Sequence, residues 1–184
     1  MRFHAIWVTL IVSCLELSAV YAVFVDDAYQ SDYHHALLGI PQQHTTFFHR
    51  PQSSSRASLL YTLSEKLVLG AVNPKDGTIV WRQRLGGGNA TTGFLRAGEK
   101  EDTVISAVGS GVQAWDALSG KLIWSNEFND GETRDLEVVE LDSGKEWRTA
   151  KDAVLLSGST EGVVRRLNGN TGDVLWEFRD DRYG

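Results

Sequence analysis

Ala114-Trp-Asp-Ala-Leu-Ser-Gly-Lys-Leu-Ile-Trp124 is one of three related stretches in this chain. The others are Ala71-Val-Asn-Pro-Lys-Asp-Gly-Thr-Ile-Val-Trp81 and Arg166-Leu-Asn-Gly-Asn-Thr-Gly-Asp-Val-Leu-Trp176. Each copy has Asn or Asp third, Gly seventh and Trp last. Recurrence at a long spacing is the signature of a repeat architecture, in which each copy is one supersecondary unit. The tryptophans fall at 81, 124 and 176, spacings that accommodate about four short strands per unit.

The chemistry within the motif predicts a hairpin. Asp76-Gly77, Ser119-Gly120 and Thr171-Gly172 are turn dipeptides between apolar runs. Gly supplies the positive φ that other residues resist. The Asn or Asp upstream can hydrogen-bond nearby backbone amides and close the loop. Trp81, Trp124 and Trp176 follow four residues after Gly, on the fourth strand. There the ring can cover apolar surface between neighbouring units while its N–H finds an acceptor. Their identical place in every copy favours packing over an aromatic ligand surface.

Working outward from the second copy, strands are expected at Thr92–Arg96, Thr103–Val108, Val112–Trp115 and Lys121–Ser125. The third unit repeats them at Leu136–Leu141, Ala153–Leu156, Gly162–Arg165 and Asp173–Trp176, with extra residues around Asp142 to Asp152. The first unit shows Leu59–Thr62, Leu67–Ala71 and Thr78–Trp81, and its start is less clear. Ala36–Leu38 and Thr45–Phe48 read as short strands in the irregular segment before it. No segment sustains a 3.6-residue apolar period, so almost no helix is expected. Four antiparallel strands per unit is the blade of a β-propeller. The expected fold is therefore all-β, a partial propeller of about three blades.

The N-terminus reads as a secretion signal over residues 1–22. Arg2 and His4 precede an apolar run, Ala5 to Leu15, too short to span a bilayer, and Val20-Tyr21-Ala22 fits a cleavage site. Residues 23–58 form an irregular lead and the first-blade start; residues 59–184 carry the blades. Removing the signal removes Cys14, the single cysteine, so the mature segment holds together by burial without disulfides. The net charge of −6 is spread without a Lys/Arg block, which argues against nucleic acid and against a polybasic membrane patch. No later apolar stretch reaches the ~20 residues of a transmembrane helix.

The pattern A-x-[DN]-x-x-[DST]-G-x-x-x-W resembles the tryptophan docking motif of quinoprotein-type (PQQ-like) propellers. The third copy departs at Arg166, where the pattern has Ala. A narrower resemblance rests on Val23-Phe-Val-Asp-Asp27 directly after the signal and on Leu67-Val-Leu-Gly-Ala-Val-Asn-Pro-Lys-Asp-Gly-Thr-Ile-Val-Trp-Arg82. These residues are similar to the start of the family of subunit 1 of the endoplasmic reticulum membrane protein complex, in a fungal version. Members are longer, with large lumenal propellers and one transmembrane helix near the C-terminus. The resemblance implies an N-terminal fragment of a type I membrane protein on the lumenal side of the endoplasmic reticulum membrane. It further implies a non-catalytic scaffold with no cofactor. Its partners would be the other subunits of that complex, which inserts tail-anchored and multi-spanning client proteins. Two other readings stay open: a PQQ-dependent dehydrogenase-like enzyme, and another lumenal PQQ-like scaffold or sensor. The mature segment lacks the paired cysteines that the dehydrogenases commonly place beside the cofactor.

Asn89-Ala90-Thr91 is an N-glycosylation sequon beside Gly86-Gly87-Gly88. His34, His35, His44 and His49 lie near Asp26, Asp27 and Asp32, but adjacent residues on a strand point to opposite faces, so ordinary surface histidines are expected rather than a metal site. Gly86–Gly88 and Gly109-Ser110-Gly111 lack the Lys-Ser/Thr and helix start of a phosphate loop and read as loop glycines. Asp180-Asp181 reads as a solvated acidic pair.

Overall fold

The structure, a computed structural model, describes residues 38–51, 58–86, 90–98, 102–142, 149–158 and 162–180. The signal segment, Asn89, His34 and His35 lie outside these residues. The described residues contain twelve strands and no helix. They are β1 (Pro41–His49), β2 (Leu59–Ser64), β3 (Val68–Val72), β4 (Ile79–Arg84), β5 (Gly93–Ala97), β6 (Thr103–Val108), β7 (Gly111–Asp116), β8 (Leu122–Glu127), β9 (Thr133–Asp142), β10 (Thr149–Ser157), β11 (Val163–Leu167) and β12 (Val174–Arg179).

They form three four-stranded antiparallel sheets in simple sequential order, β1–β4, β5–β8 and β9–β12. Within each sheet every strand after the first pairs with the one before it, the order that direct antiparallel connections produce. Between sheets, the first strands β1, β5 and β9 approach most closely, so the sheets radiate from a common inner edge as propeller blades do.

Apolar alternation along each strand fills two inter-sheet layers. Leu59, Tyr61, Leu63, Leu69, Ala71 and Trp81 of the first sheet meet Leu95, Val104, Val108 and Trp115 of the second. On the other face of the second sheet, Ile105, Ala107, Val112, Ala114 and Trp124 meet Leu136, Ala153, Leu155 and Leu167. A residue's parity within the strand thus decides which neighbouring blade it faces.

Three differences from the sequence reading stand out. The unclear start of the first blade is β1, which begins at Pro41 and runs through Thr45–Phe48. Its regular alternation is broken by a bulge between Pro41 and Thr46, with His44 at φ 61°, and this breaks the period-2 signal. In the third blade Thr149–Asp152, expected as inserted loop, is strand: it pairs with Val139–Asp142 and lengthens the β9–β10 hairpin beyond β11. Leu38 is not in a strand; it is buried against Gly70, where a Cβ would lie 2.4 Å from its Cδ2.

Candidate functional site: the inter-blade joints

The three motif turns close in one way. The N–H of Gly77, Gly120 and Gly172 each donates to the carbonyl four residues back, on Asn73, Asp116 and Asn168, at 2.8 Å. These glycines sit at φ 71°, 66° and 79°, the left-handed region that a side chain resists. The Asn or Asp side chain ties the loop inward. Asn73 Oδ1 accepts from the Lys75 N–H, Asp116 Oδ1 from the Ser119 N–H and hydroxyl, and Asn168 Oδ1 from the Asn170 and Thr171 N–H groups. A register shift follows the first motif position in every copy, at Ala71/Val72, Ala114/Trp115 and Arg166/Leu167.

The second and third turns each present a seat to the preceding blade. The Trp81 ring lies over Gly120, and its Nε1–H donates to Ala117 O at 2.8 Å. Trp124 lies over Gly172 and donates to Gly169 O at 3.0 Å. Ala117 and Gly169 are both the fourth residue of their motif. A Cβ on Gly120 would stand 2.4 Å from Trp81 Cδ2, so this glycine answers to two demands, its φ and the ring above it. Trp81 and Trp124 are each 8% exposed. Trp176 occupies the same register on β12 and is 44% exposed.

Three contributors were not singled out from the sequence. Gln83 Nε2 donates to Gly120 O at 2.9 Å, and Asn126 Nδ2 donates to Gly172 O. Both stand two residues after the motif Trp, so a recurring Trp-x-[Gln/Asn] was the available signal. Tyr61, fully buried, adds its hydroxyl to Ala117 O at 2.9 Å. Burial, and then the charge of Asp116, push its phenol well above the ordinary value, so it stays a donor.

The second joint carries a charge. Arg165 is 2% exposed. Its guanidinium pairs with Asp130 and with Glu177 Oε2 (2.6 Å), donates to Ser157 Oγ (3.0 Å), and stacks 4.5 Å from the Phe128 ring centre. A buried guanidinium needs such a full set of acceptors.

Outside the joints, a polar cleft of about 380 Å³ is lined by Gly86, Ser110, Gln113, Ser125 and Glu127 among others. His44 is exposed, and His49 packs edge-on near Phe47 and Tyr61. Among the described residues, no three His, Cys, Asp or Glu side chains converge as metal ligands.

A propeller is also what the family comparison finds. The family model of the EMC1 N-terminal beta-propeller domain matches residues 22–182. The chain belongs to this family. Among solved structures it is similar to the crystal structure of BamB from Moraxella catarrhalis, with 12% identity over 76% of this chain and a TM-score of 0.48. It is also similar to a europium-containing methanol dehydrogenase (13%, over 67%, TM-score 0.49) and to the WD40 beta propeller domain of Doa1 (17%, over 65%, TM-score 0.44). This chain spans 37%, 23% and 36% of those chains, respectively. No curated protein matches it.

Proposed function

We propose that this propeller segment is a non-catalytic, lumenal scaffold of the endoplasmic reticulum membrane protein complex, supporting insertion of tail-anchored and multi-spanning client proteins. The observation that carries this reading is the EMC1 family match across residues 22–182. It supports a component of a multi-subunit assembly associated with the endoplasmic reticulum. The role in insertion, the type I topology and the clients are the further steps of the proposal. On this reading the motif residues Gly77, Gly120, Gly172, Trp81, Trp124 and Trp176 are joinery, with no cofactor among them. The site chemistry agrees, since the Trp81 and Trp124 N–H groups and the turn carbonyls satisfy one another.

The test is affinity purification of the full-length protein from detergent-solubilised membranes, with mass spectrometry of what accompanies it. Membrane-embedded subunits are expected in stoichiometric yield, and depletion is expected to lower insertion of a tail-anchored reporter. Recovery of the protein alone, or normal insertion after depletion, would overturn the reading. Glycosylation at Asn89 belongs to the same proposal: endoglycosidase treatment lowers the apparent mass of the wild type, and Asn89→Gln abolishes that shift.

A further inference from the structure

The first two joints differ in what stands beside their seats. Counted from the motif Trp, Arg165 takes the place of Gln113, Glu177 that of Ser125, and Arg179 that of Glu127. The cross-strand pairs agree, Gln113 with Ser125 and Arg165 with Glu177. Phe128 takes the place of Leu85, and their N–H groups make the same bond, to Ser110 O and to Leu67 O. In the second joint these positions are filled. Arg165 sits against Phe128 and binds Asp130, Glu177 and Ser157. Beside the first joint they are not. Gln113 and Ser125 are shorter and uncharged, and Gly86 follows Leu85 with nothing within 4 Å of where its Cβ would stand. The polar cleft of about 380 Å³ opens there. That volume lies within the range of small-ligand pockets, roughly 300–1,000 Å³.

The lining sets the class of ligand. Gln113 offers an amide, Ser110 and Ser125 hydroxyls, Glu127 a carboxylate and Val108 an apolar wall, and among the described lining residues there is no cation. Ser110 Oγ donates to Glu127 Oε1 at 3.2 Å, and Gln113 Nε2 is a long 3.5 Å from Ser125 Oγ, so both groups can re-pair with a better partner. An anion would meet Glu127 with nothing to balance it. A neutral molecule bearing hydroxyl and amide groups suits the cleft, its hydroxyls donating to Glu127.

The connecting loops differ in step with the cleft. The loop between β8 and β9 supplies Asp130, which pairs with Arg165 and helps to fill the second joint. The loop between β4 and β5 supplies the sequon Asn89-Ala90-Thr91 instead. Asn89 is three residues beyond Gly86, at most about 11 Å along the chain.

We infer that this cleft is the seat of the Asn89 glycan, whose first N-acetylglucosamine units occupy beside the first joint the volume that Arg165 occupies in the second. This rests on the glycosylation of Asn89 proposed above. N-acetylglucosamine is neutral and carries both hydroxyl and amide groups, the chemistry that the lining selects. The tether makes docking intramolecular, with an effective concentration of about millimolar, so contacts too weak to retain a free sugar suffice.

The experiment uses the full-length glycoprotein, with glycopeptide mass spectrometry to read occupancy at Asn89. Release of that glycan by peptide N-glycosidase is then timed on native and on denatured protein. A docked glycan reacts only from its undocked fraction, so native release is expected to be about ten-fold slower than denatured release. Gln113→Arg/Ser125→Glu, which rebuilds the second joint's filling, is expected to evict the glycan and bring native release within about two-fold of the denatured rate, with occupancy unchanged. Glu127→Ala, at an exposed position, is expected to speed native release about five-fold through the loss of one charge-assisted bond. An unoccupied Asn89 would overturn both the glycosylation and the docking. An occupied Asn89 whose glycan leaves the native wild type at the denatured rate would overturn the docking alone. Slow release that neither variant changes would show that the backbone around Asn89, and not the cleft, shields the sugar, and would overturn this seat.

Discussion

The first and second joints share a plug and a seat but fill the space around them differently. Between the first two sheets, Tyr61 stacks on Phe47 at 5.7 Å, lies 6.1 Å from Trp81, and bonds the same carbonyl as Trp81. Between the second and third, the residue at Tyr61's register is Ile105, and the polar content has moved to Arg165 with Asp130, Glu177 and Ser157. The repeat therefore holds constant the glycine, the turn carbonyls, the indole and the side-chain amide two residues after it. The surrounding volume is solved separately in each joint, by aromatic packing in one and by a buried cation in the other. Close packing sets how much must be filled, and leaves open which chemistry fills it.

The sharpest way to break the shared part is to remove the plug. Trp124→Ala is expected to destabilise the domain by roughly 3–5 kcal/mol, as for a large core truncation, and Trp81→Ala similarly. Urea unfolding of the full-length protein measures it; a change under about 1 kcal/mol would place these rings outside the core. The unshared parts come next. Arg165→Ala strips Asp130 and Glu177 of their buried partner and is expected to cost about 3 kcal/mol, while Arg165→Met, which keeps the stem, should recover part of that. Equal losses for the two would show that charge, and not packing, is what Arg165 contributes.

Gly120→Ala tests the seat. A left-handed φ and a ring 2.4 Å from the new Cβ together predict a loss of about 2 kcal/mol. Gly111→Ala, where nothing comes nearer than 3.6 Å, is the control and should change stability by less than about 1 kcal/mol. Tyr61→Phe removes one of two donors from Ala117 O and should cost about 1 kcal/mol, with no equivalent effect in the second joint.

The smallest effect belongs to the inner edge. Arg96 meets Glu137 at 2.8 Å across the second joint, and that hydrogen bond holds the Glu137 carboxyl below its ordinary 4.5. A lowered carboxylate stabilises above its unfolded value and loses that contribution as pH falls through the lowered one. More than half of Glu137 is exposed, so water screens the pair, and Glu137→Gln should shift stability at neutral pH by less than about 0.5 kcal/mol. Its wild-type counterpart should lose the same increment below pH 4.5 and in high salt.

Much of this was legible in the residues. The turns could be read because Gly at a left-handed position and Asn or Asp closing the loop are local requirements, met within a few residues. The four-strand unit followed from apolar runs between those turns in the second and third blades. β1 was harder, because a bulge at His44 shifts its alternation and Thr-rich strand sequence resembles a polar loop. The extension of β9 and β10 was hidden because charged residues such as Glu140 and Lys151 carry little strand preference, and pairing with each other holds them in register.

By itself, the sequence determined the repeat, the all-β class and the residues that recur. Only the tertiary structure decided their consequences. It seats Trp81 and Trp124 while leaving Trp176 open, gives Ala117 O two donors, and buries Arg165 among acceptors from three segments. The physical reason is reach. A turn closes through bonds between near neighbours, whereas a joint forms between residues 36 or 45 positions apart, whose meeting depends on how whole sheets stack.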